Sequence, residues 1–476
     1  MKDRKLTQLI MLLNKQECDD LGLFVRSPYF NKQENLITLL DYFLKYWPKY
    51  DKEEFSQEDA WAQISPNSPF DKGRFAQLMT KLYKLIEQFI HTEAHKGNVL
   101  EAHRSKSNYF INKKSIYFFE KHYKEFKKTF SKHIPKKADD FQILYQIELD
   151  YHNFANNISS LDKMETIFTS LNQALDQYII IEKLRIGTLV LNHQTRTNEH
   201  LHTPFASEVF QYAKDKIDGL PPLAALWYFV YLLLTDQRNE ESYSELKQFW
   251  LMNHEGFTSD TNVFVTKVLE LSVLKAFGNN RKRYIEELFS LYLMSIQHKW
   301  ILKEGPIQHI RFNNIVFVAL FLNKIDWAKN FIVDFQQYLI PDFIEDVHSY
   351  NMARVDFAIT DYSSCLKRIV NIDFVDTQMA VGTKRMQLKC YYEIDENGLM
   401  EAGINALRVY MHRIKGVSNF YKDHHHLFIN VINQLFKVKA GDKGKDTLAK
   451  IKEEVDNKRS IPEYNWLVEK IADLEA

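Results

Sequence analysis

The chain is predicted to be all-α: an N-terminal helical unit followed by an α-solenoid of stacked helical hairpins. Helix breakers are scarce, 11 Pro and 14 Gly among 476 residues, about 5% together against roughly 12% in ordinary proteins. The prolines fall between runs of helical periodicity, where one amphipathic segment stops and the next begins. Beyond residue 222, turn-forming clusters recur every 35 to 45 residues or so, the interval expected when each unit is a helical hairpin.

The first hundred residues carry the N-terminal elements. Leu6, Leu9, Ile10 and Leu13 form one stripe, and after Pro28 a second runs through Leu36, Ile37, Leu40, Phe43 and Leu44. Ser56, three residues before Asp59, is placed to cap a short helix through Trp61. The cleanest amphipathic pattern runs from Phe75 through Leu78, Met79, Leu82, Leu85 and Ile86 to Ile90 and stops near Gly97. Two long helices are expected near 139–156 and 161–192, the second beginning with Leu161 and Met164. Thr203-Pro204 reads as a cap followed by proline in the first turn, and Gly219-Leu-Pro221-Pro222 as a stop and a new start. Turns are then expected near Asp236–Asn239, Gly278–Asn280, Asn323–Asp326, Ile359–Asp361, Asp395–Gly398 and Lys439–Gly441. Three regions follow: a helical unit over 1–102, a long-helix middle region with a Lys-rich start over 103–221, and the hairpin array over 222–476.

Lys plus Arg and Asp plus Glu both number 62, so no overall field draws the chain to a polyanion, and such a partner must meet a local patch. Three widely spaced cysteines without a C-x-x-C fit a reducing, cytoplasmic setting. The longest apolar run, Leu223–Thr235, is too short to span a bilayer, which needs about 20 residues, and no membrane association is expected. Nor are the first residues expected to act as a signal peptide, because charge returns at Lys15 and Glu17 before any cleavage-type site.

Residues 103–137 are the local exception, with ten Lys and one Arg against Glu120 and Glu125, interleaved with eight Tyr and Phe. Such a pattern suits nucleic acid, with cations on phosphates and rings on bases. It equally suits a helix that packs its rings and lets lysine stems run along its edge.

Within 307–413 the residues resemble a divergent tetratricopeptide-like repeat. Tyr350-Asn-Met-Ala353 through Asp361-Tyr362 to Cys365 has a small residue on each helix and an Asp-Tyr turn; Leu388–Asp395 followed by Leu399–Ala402 resembles the next unit, and the segment around Phe317, Asp326-Trp327-Ala328 and Pro341 the preceding one. The resemblance implies a concave groove lined by the first helix of each hairpin and a protein or peptide held there. Polar residues on those helices are Arg311, Asn313, Asn314, Asn351, Arg354, Lys384, Arg385 and Lys389. Amides and cations of this kind grip peptide backbones and carboxylates by charge-assisted hydrogen bonds.

Signatures of chemistry are missing from the sequence. Gly441-Asp-Lys-Gly444-Lys445 lacks the spacing of a phosphate loop, and no G-x-S-x-G or H-E-x-x-H occurs. His424-His425-His426 point about 100° apart on a helix and cannot converge on one ion. Asp395–Gly398 lacks the remaining ligands of a calcium loop and reads as a turn. The expectation is a non-enzymatic interaction protein without cofactor or metal, binding a partner in the array's groove, with nucleic-acid binding through 103–137 as the alternative.

Overall fold

The structure, a computed structural model, describes residues 5–50, 55–132, 135–157, 164–194, 197, 199–277, 280–303, 305–370, 376–415, 417–441, 444–458 and 460–476. The fold is all-α: the described residues contain no strand, and a single isolated bridge pairs Ile307 with Leu339. No helix among them is long and apolar enough to cross a membrane. Two compact units divide the chain at residues 179 and 180. The boundaries expected near 102 and 221 therefore fall inside units.

The first unit holds α1 (Lys5–Met11), α2 (Lys15–Arg26), α3 (Glu34–Tyr46), α4 (Gln57–Ile64), α5 (Lys72–His95), α6 (Val99–Asn112), α7 (Ile116–Lys132) and α8 (Ala138–Asn157). Helix α9 (Met164–Gln194) starts here and ends in the second unit. Leu161, expected to open this helix, lies outside the described residues. The caps act as the side chains dictate. Asn14 and Glu17 form a reciprocal capping box at 3.0 and 2.7 Å, and Ser56 Oγ accepts the Asp59 N–H at 3.0 Å. Helix α5 buries Phe75, Leu78, Met79, Leu82, Leu85, Ile86 and Phe89 against α1–α4, each contributing about 1.5–3 kcal/mol by transfer from water. A separate core joins Leu100, Phe126, Ile143, Leu144, Ile147 and Ala174 of α6–α9.

The second unit continues with α10 (Ala206–Asp215), α11 (Pro222–Thr235), α12 (Glu240–Asn253), α13 (Ser259–Phe277), α14 (Arg281–Gln297), α15 (His309–Phe321), α16 (Ile325–Phe335), α17 (Ile344–Ala358) and α18 (Tyr362–Ile369). It ends with α19 (Thr377–Glu393), α20 (Asn397–Arg413), α21 (Asn419–Lys439), α22 (Lys445–Asn457) and α23 (Tyr464–Glu475). The apolar run after Pro221 is the buried helix α11, opened by Pro222 in its first turn. Thr203 does not cap α10; Phe205, in a left-handed conformation at φ 66°, precedes its first residue instead. Each odd-numbered helix from α11 to α21 packs on the helix after it, and α15, α17 and α19 also pack in series.

Three of these hairpins are closed by one device. Asn323, Thr360 and Asp395 have φ of 56°, 63° and 57°. The next N–H reaches back five residues in each case: Lys324 to Ala319 O, Asp361 to Asp356 O and Glu396 to Tyr391 O, at 2.9, 2.9 and 3.0 Å. This is the Schellman closure, which satisfies carbonyls the helix end leaves unpaired. Asp361 then caps α18, its carboxylate accepting the Ser364 N–H at 3.0 Å. Gly278 and Asn279 of one expected turn lie outside the described residues, whereas the turn expected at Lys439–Gly441 follows the end of α21, with Gly441 at φ 82°.

Small residues set the helix spacing. Ala353 and Cys365 are buried as expected, and Cys390 Sγ lies 3.5 Å from Cys365 Sγ in one small core. Ala402, expected to make the next close contact, is exposed. Its neighbour Gly403 takes that role, since a Cβ there would stand 2.8 Å from Leu388 Cδ2. A glycine also stands on α19: a Cβ at Gly382 would meet Tyr350 Oη at 2.4 Å, so α17 and α19 approach closely there.

Candidate functional site

The residues expected to line the groove separate into two groups. Arg385 and Lys389 on α19 pair with one carboxylate, that of Glu463, and Arg354 on α17 adds its positive charge to the cluster without pairing with it. Positions 385 and 389 are one helical turn apart and share a face, and the close approach permitted by Gly382 brings α17 alongside. Lys389 Nζ donates to Glu463 Oε2 at 2.8 Å, and Arg385 Nη2 lies 3.5 Å from Oε1. Arg354 is held from behind, its Nη1 donating to Asn313 O at 2.9 Å and to Asn351 Oδ1 at 3.1 Å. Asn351 is fully buried, donating to Asn313 Oδ1 at 2.6 Å and to Val347 O at 2.8 Å. Its amide thus aims the guanidinium.

Rings complete the cluster. Arg354 lies over Phe317 and Tyr350, 5.5 and 5.6 Å from the ring centres, and Lys389 lies 4.1 Å from that of Phe357. Arg385 Nη1 donates to His425 Nε2 at 3.3 Å while His425 Nδ1 faces Tyr421 O at 2.7 Å, an arrangement that requires the neutral imidazole. Burial, and then the Arg385 charge, push His425 down to about 4. Burial alone would raise Glu463. The cations of Lys389, Arg385 and Arg354 prevail and hold its carboxyl at about 2.

The remaining candidates serve elsewhere. Arg311 pairs with Glu270 of α13 at 2.5 Å, Lys384 lies over the Tyr410 ring at 5.4 Å, and Asn314 faces solvent. The histidine triplet diverges as its spacing requires: His425 turns inward, while His424 Nε2 meets Ser460 Oγ at 2.8 Å. No group of three or more potential ligands that could hold a metal exists among the described residues. Asp395 forms the left-handed turn residue and pairs with Lys439 at 2.5 Å.

Sequence reasoning missed Glu463, His425 and Tyr350. Glu463 comes from the segment just before α23, 74 residues beyond Lys389. It sits at φ 61°, and α23 is fastened to the array by Trp466 Nε1 donating to Glu393 Oε1 at 2.7 Å and by Arg281 Nη1 donating to Asn465 Oδ1 at 3.2 Å. Only Pro462, marking a helix start, announced that segment.

The Lys-rich stretch forms the α6–α7 hairpin in the first unit. Phe119, Phe126 and most of Tyr123 and Phe130 pack inward, as the structural reading requires, whereas Tyr109, Tyr117 and Phe118 stay exposed. Comparison with known proteins gives no match to a family model, to a curated protein or to a solved structure.

Proposed function

We propose that the protein is a non-enzymatic binding protein whose hairpin array takes an acidic segment of a partner at Arg354, Arg385 and Lys389, with Glu463 occupying that place in the free chain. The observation that carries this reading is the charge imbalance: three cations, each partly or wholly withdrawn from water, converge on one carboxylate. Among the described residues Glu463 is the one carboxylate within 4 Å of Arg385 or Lys389 and none lies that close to Arg354, and Arg385 Nε is buried without a hydrogen-bond partner. Buried like charges repel and remain under-compensated by one carboxylate, so an acidic segment that brings several carboxylates in place of Glu463 is favoured there. The starts of α15, α17 and α19 at 309, 344 and 377 are 35 and 33 residues apart, in keeping with the 34-residue repeat that the sequence resembles. The protonation states favour binding over catalysis: with Glu463 near 2 and His425 near 4, neither is a base poised near neutrality.

The test is fluorescence anisotropy of the full chain with a labelled ten-residue Glu/Ser peptide. Glu463→Gln should tighten binding about tenfold, and Arg385→Gln with Lys389→Gln should weaken it at least tenfold. Should Glu463→Gln fail to fold, Glu463→Asp, which keeps the charge but shortens its reach, should tighten binding by a smaller factor. Equal affinity of the wild type and the Arg385/Lys389 double variant would overturn the reading.

A further inference from the structure

A second surface lies in the first unit and is independent of the array. Helix α7 buries Phe119, His122 and Phe126 on one side. On the opposite side Tyr117, Lys121, Lys124 and Lys128 follow one another at intervals of four, three and four residues, all exposed, and Lys132 extends the line. From Tyr117 to Lys132 this line is about 22 Å long at 1.5 Å per residue. It borders a shallow concavity of about 430 Å³ lined by Tyr117, Glu120, Lys121, Lys124, Glu125 and Lys128. Lys113 and Lys114 add two cations in the turn before it, so six lysines face two glutamates.

Two features separate this face from an ordinary solvated helix surface. Among the described residues none of the six lysines has a carboxylate within 4 Å, whereas Lys127, on the flank, is held by Glu148 at 2.6 Å. The rings at the hairpin's end also lie outside the core: Tyr117 is 70%, Tyr109 59% and Phe118 52% exposed. They form a chain of contacts, Tyr117 to Phe118 at 5.2 Å, Phe118 stacked on Phe110 at 5.8 Å and Phe110 to Tyr109 at 5.9 Å. Contiguous exposed aromatic surface of this kind marks an interaction site.

We propose that the α6–α7 hairpin binds single-stranded nucleic acid, with bases stacked on Tyr117, Phe118 and Tyr109 and the phosphate backbone following Lys121, Lys124 and Lys128. The lysines form a line rather than a collar around the rings, which fits a linear polyanion better than a flat anionic bilayer. Stacking demands bases with free faces, and a duplex hides them. The hairpin is held rigid by the same closure seen in the array, Lys114 at φ 54° and the Ser115 N–H on Phe110 O at 3.0 Å. The backbone that carries the rings is thereby fixed in place.

The experiment is anisotropy of labelled fifteen-residue oligo-dT and oligo-U with the full chain, titrated against salt. Three lysines on phosphates should give a log–log salt slope of about −2, from about 0.7 per phosphate on single strands. Lys121→Gln, Lys124→Gln and Lys128→Gln together should flatten that slope. Tyr117→Ala with Phe118→Ala should weaken binding at least tenfold while leaving the slope, because stacking is not ionic. A duplex of equal length should bind at least tenfold more weakly than the single strand. All five positions are exposed, so an unchanged helical circular-dichroism spectrum is expected throughout. No binding of either oligonucleotide at low salt, or equal affinity for the duplex, would overturn the proposal. Binding instead to phosphatidylserine vesicles, lost in the Tyr117/Phe118 variant, would reassign the face to membranes and overturn it as well.

Discussion

The cations of α17 and α19 and those of α7 are the same residue types on amphipathic helices, yet they occupy opposite physical situations. Lys389 is buried, bonded to Glu463 and in contact with the Phe357 ring. Lys121, Lys124 and Lys128 are exposed and, among the described residues, without an ion-pair partner. The difference teaches that a cation's place on a helix does not disclose its role, because burial decides whether its charge is part of the fold. A buried cluster should answer to pH and to loss of its counter-charge. An exposed line should answer to salt.

The largest expected effect breaks the buried side of this contrast. Glu463→Gln leaves Arg354, Arg385 and Lys389 uncompensated and should lower stability by about 4 kcal/mol, the cost of removing one partner from a buried ionic group. The midpoint of denaturant unfolding measures this, and an equivalent Lys128→Gln change on α7 should leave it unmoved. Acid should act on the same cluster, by about 3 kcal/mol for each of its two titrating groups. His425 and Glu463 both have folded pKa values below their ordinary ones, near 4 and near 2. Their contribution is therefore complete above about pH 6.5, and on acidification the part from His425 is lost between 6.5 and 4 and that from Glu463 between 4.5 and 2. His425→Gln should remove the upper part of that decline, and an unchanged pH profile in this variant would contradict the assignment.

Gly382→Ala sharpens the comparison by disturbing only the scaffold of the cluster. The new methyl would meet Tyr350 Oη at 2.4 Å, and overpacking of this kind costs about 1–3 kcal/mol. Because Tyr350 lies against Arg354, peptide binding should weaken along with thermal stability. The smallest expected effect lies in the turns. Thr360 is β-branched at φ 63°, so Thr360→Gly should raise stability by about 1 kcal/mol without altering binding at either surface.

Much of the architecture was legible because helices depend on local signals. Sparse Pro and Gly, Ser56 as a cap, the Phe75–Phe89 stripe and the turns at Asn323, Thr360 and Asp395 all act within a few residues. Periodicity was too coarse where one residue of helical phase mattered. Ala402 and Gly403 are adjacent small residues, and only the packing of Leu388 and Tyr391 shows which one makes the close contact. Phe118 and Phe119 are likewise adjacent rings, of which the second is buried and the first is not. For the candidate site, the cations could be read from their positions on α17 and α19, but their counter-charge could not. Glu463 reaches them across 74 residues through tertiary packing, and periodicity carries no information at that range. Arg311 shows the reverse case: it lies on the expected helix, but Glu270 claims it.

Hydrogen–deuterium exchange of the full chain with and without the bound Glu/Ser peptide tests the account most directly, read at the amides of residues 460–467. If the partner's carboxylates take the place of Glu463, the peptide should lower protection at Leu467, whose N–H is held by Glu463 O at 3.0 Å, while α19 stays protected. Saturating peptide with protection at 460–467 unchanged would contradict the claim that Glu463 stands where a ligand binds.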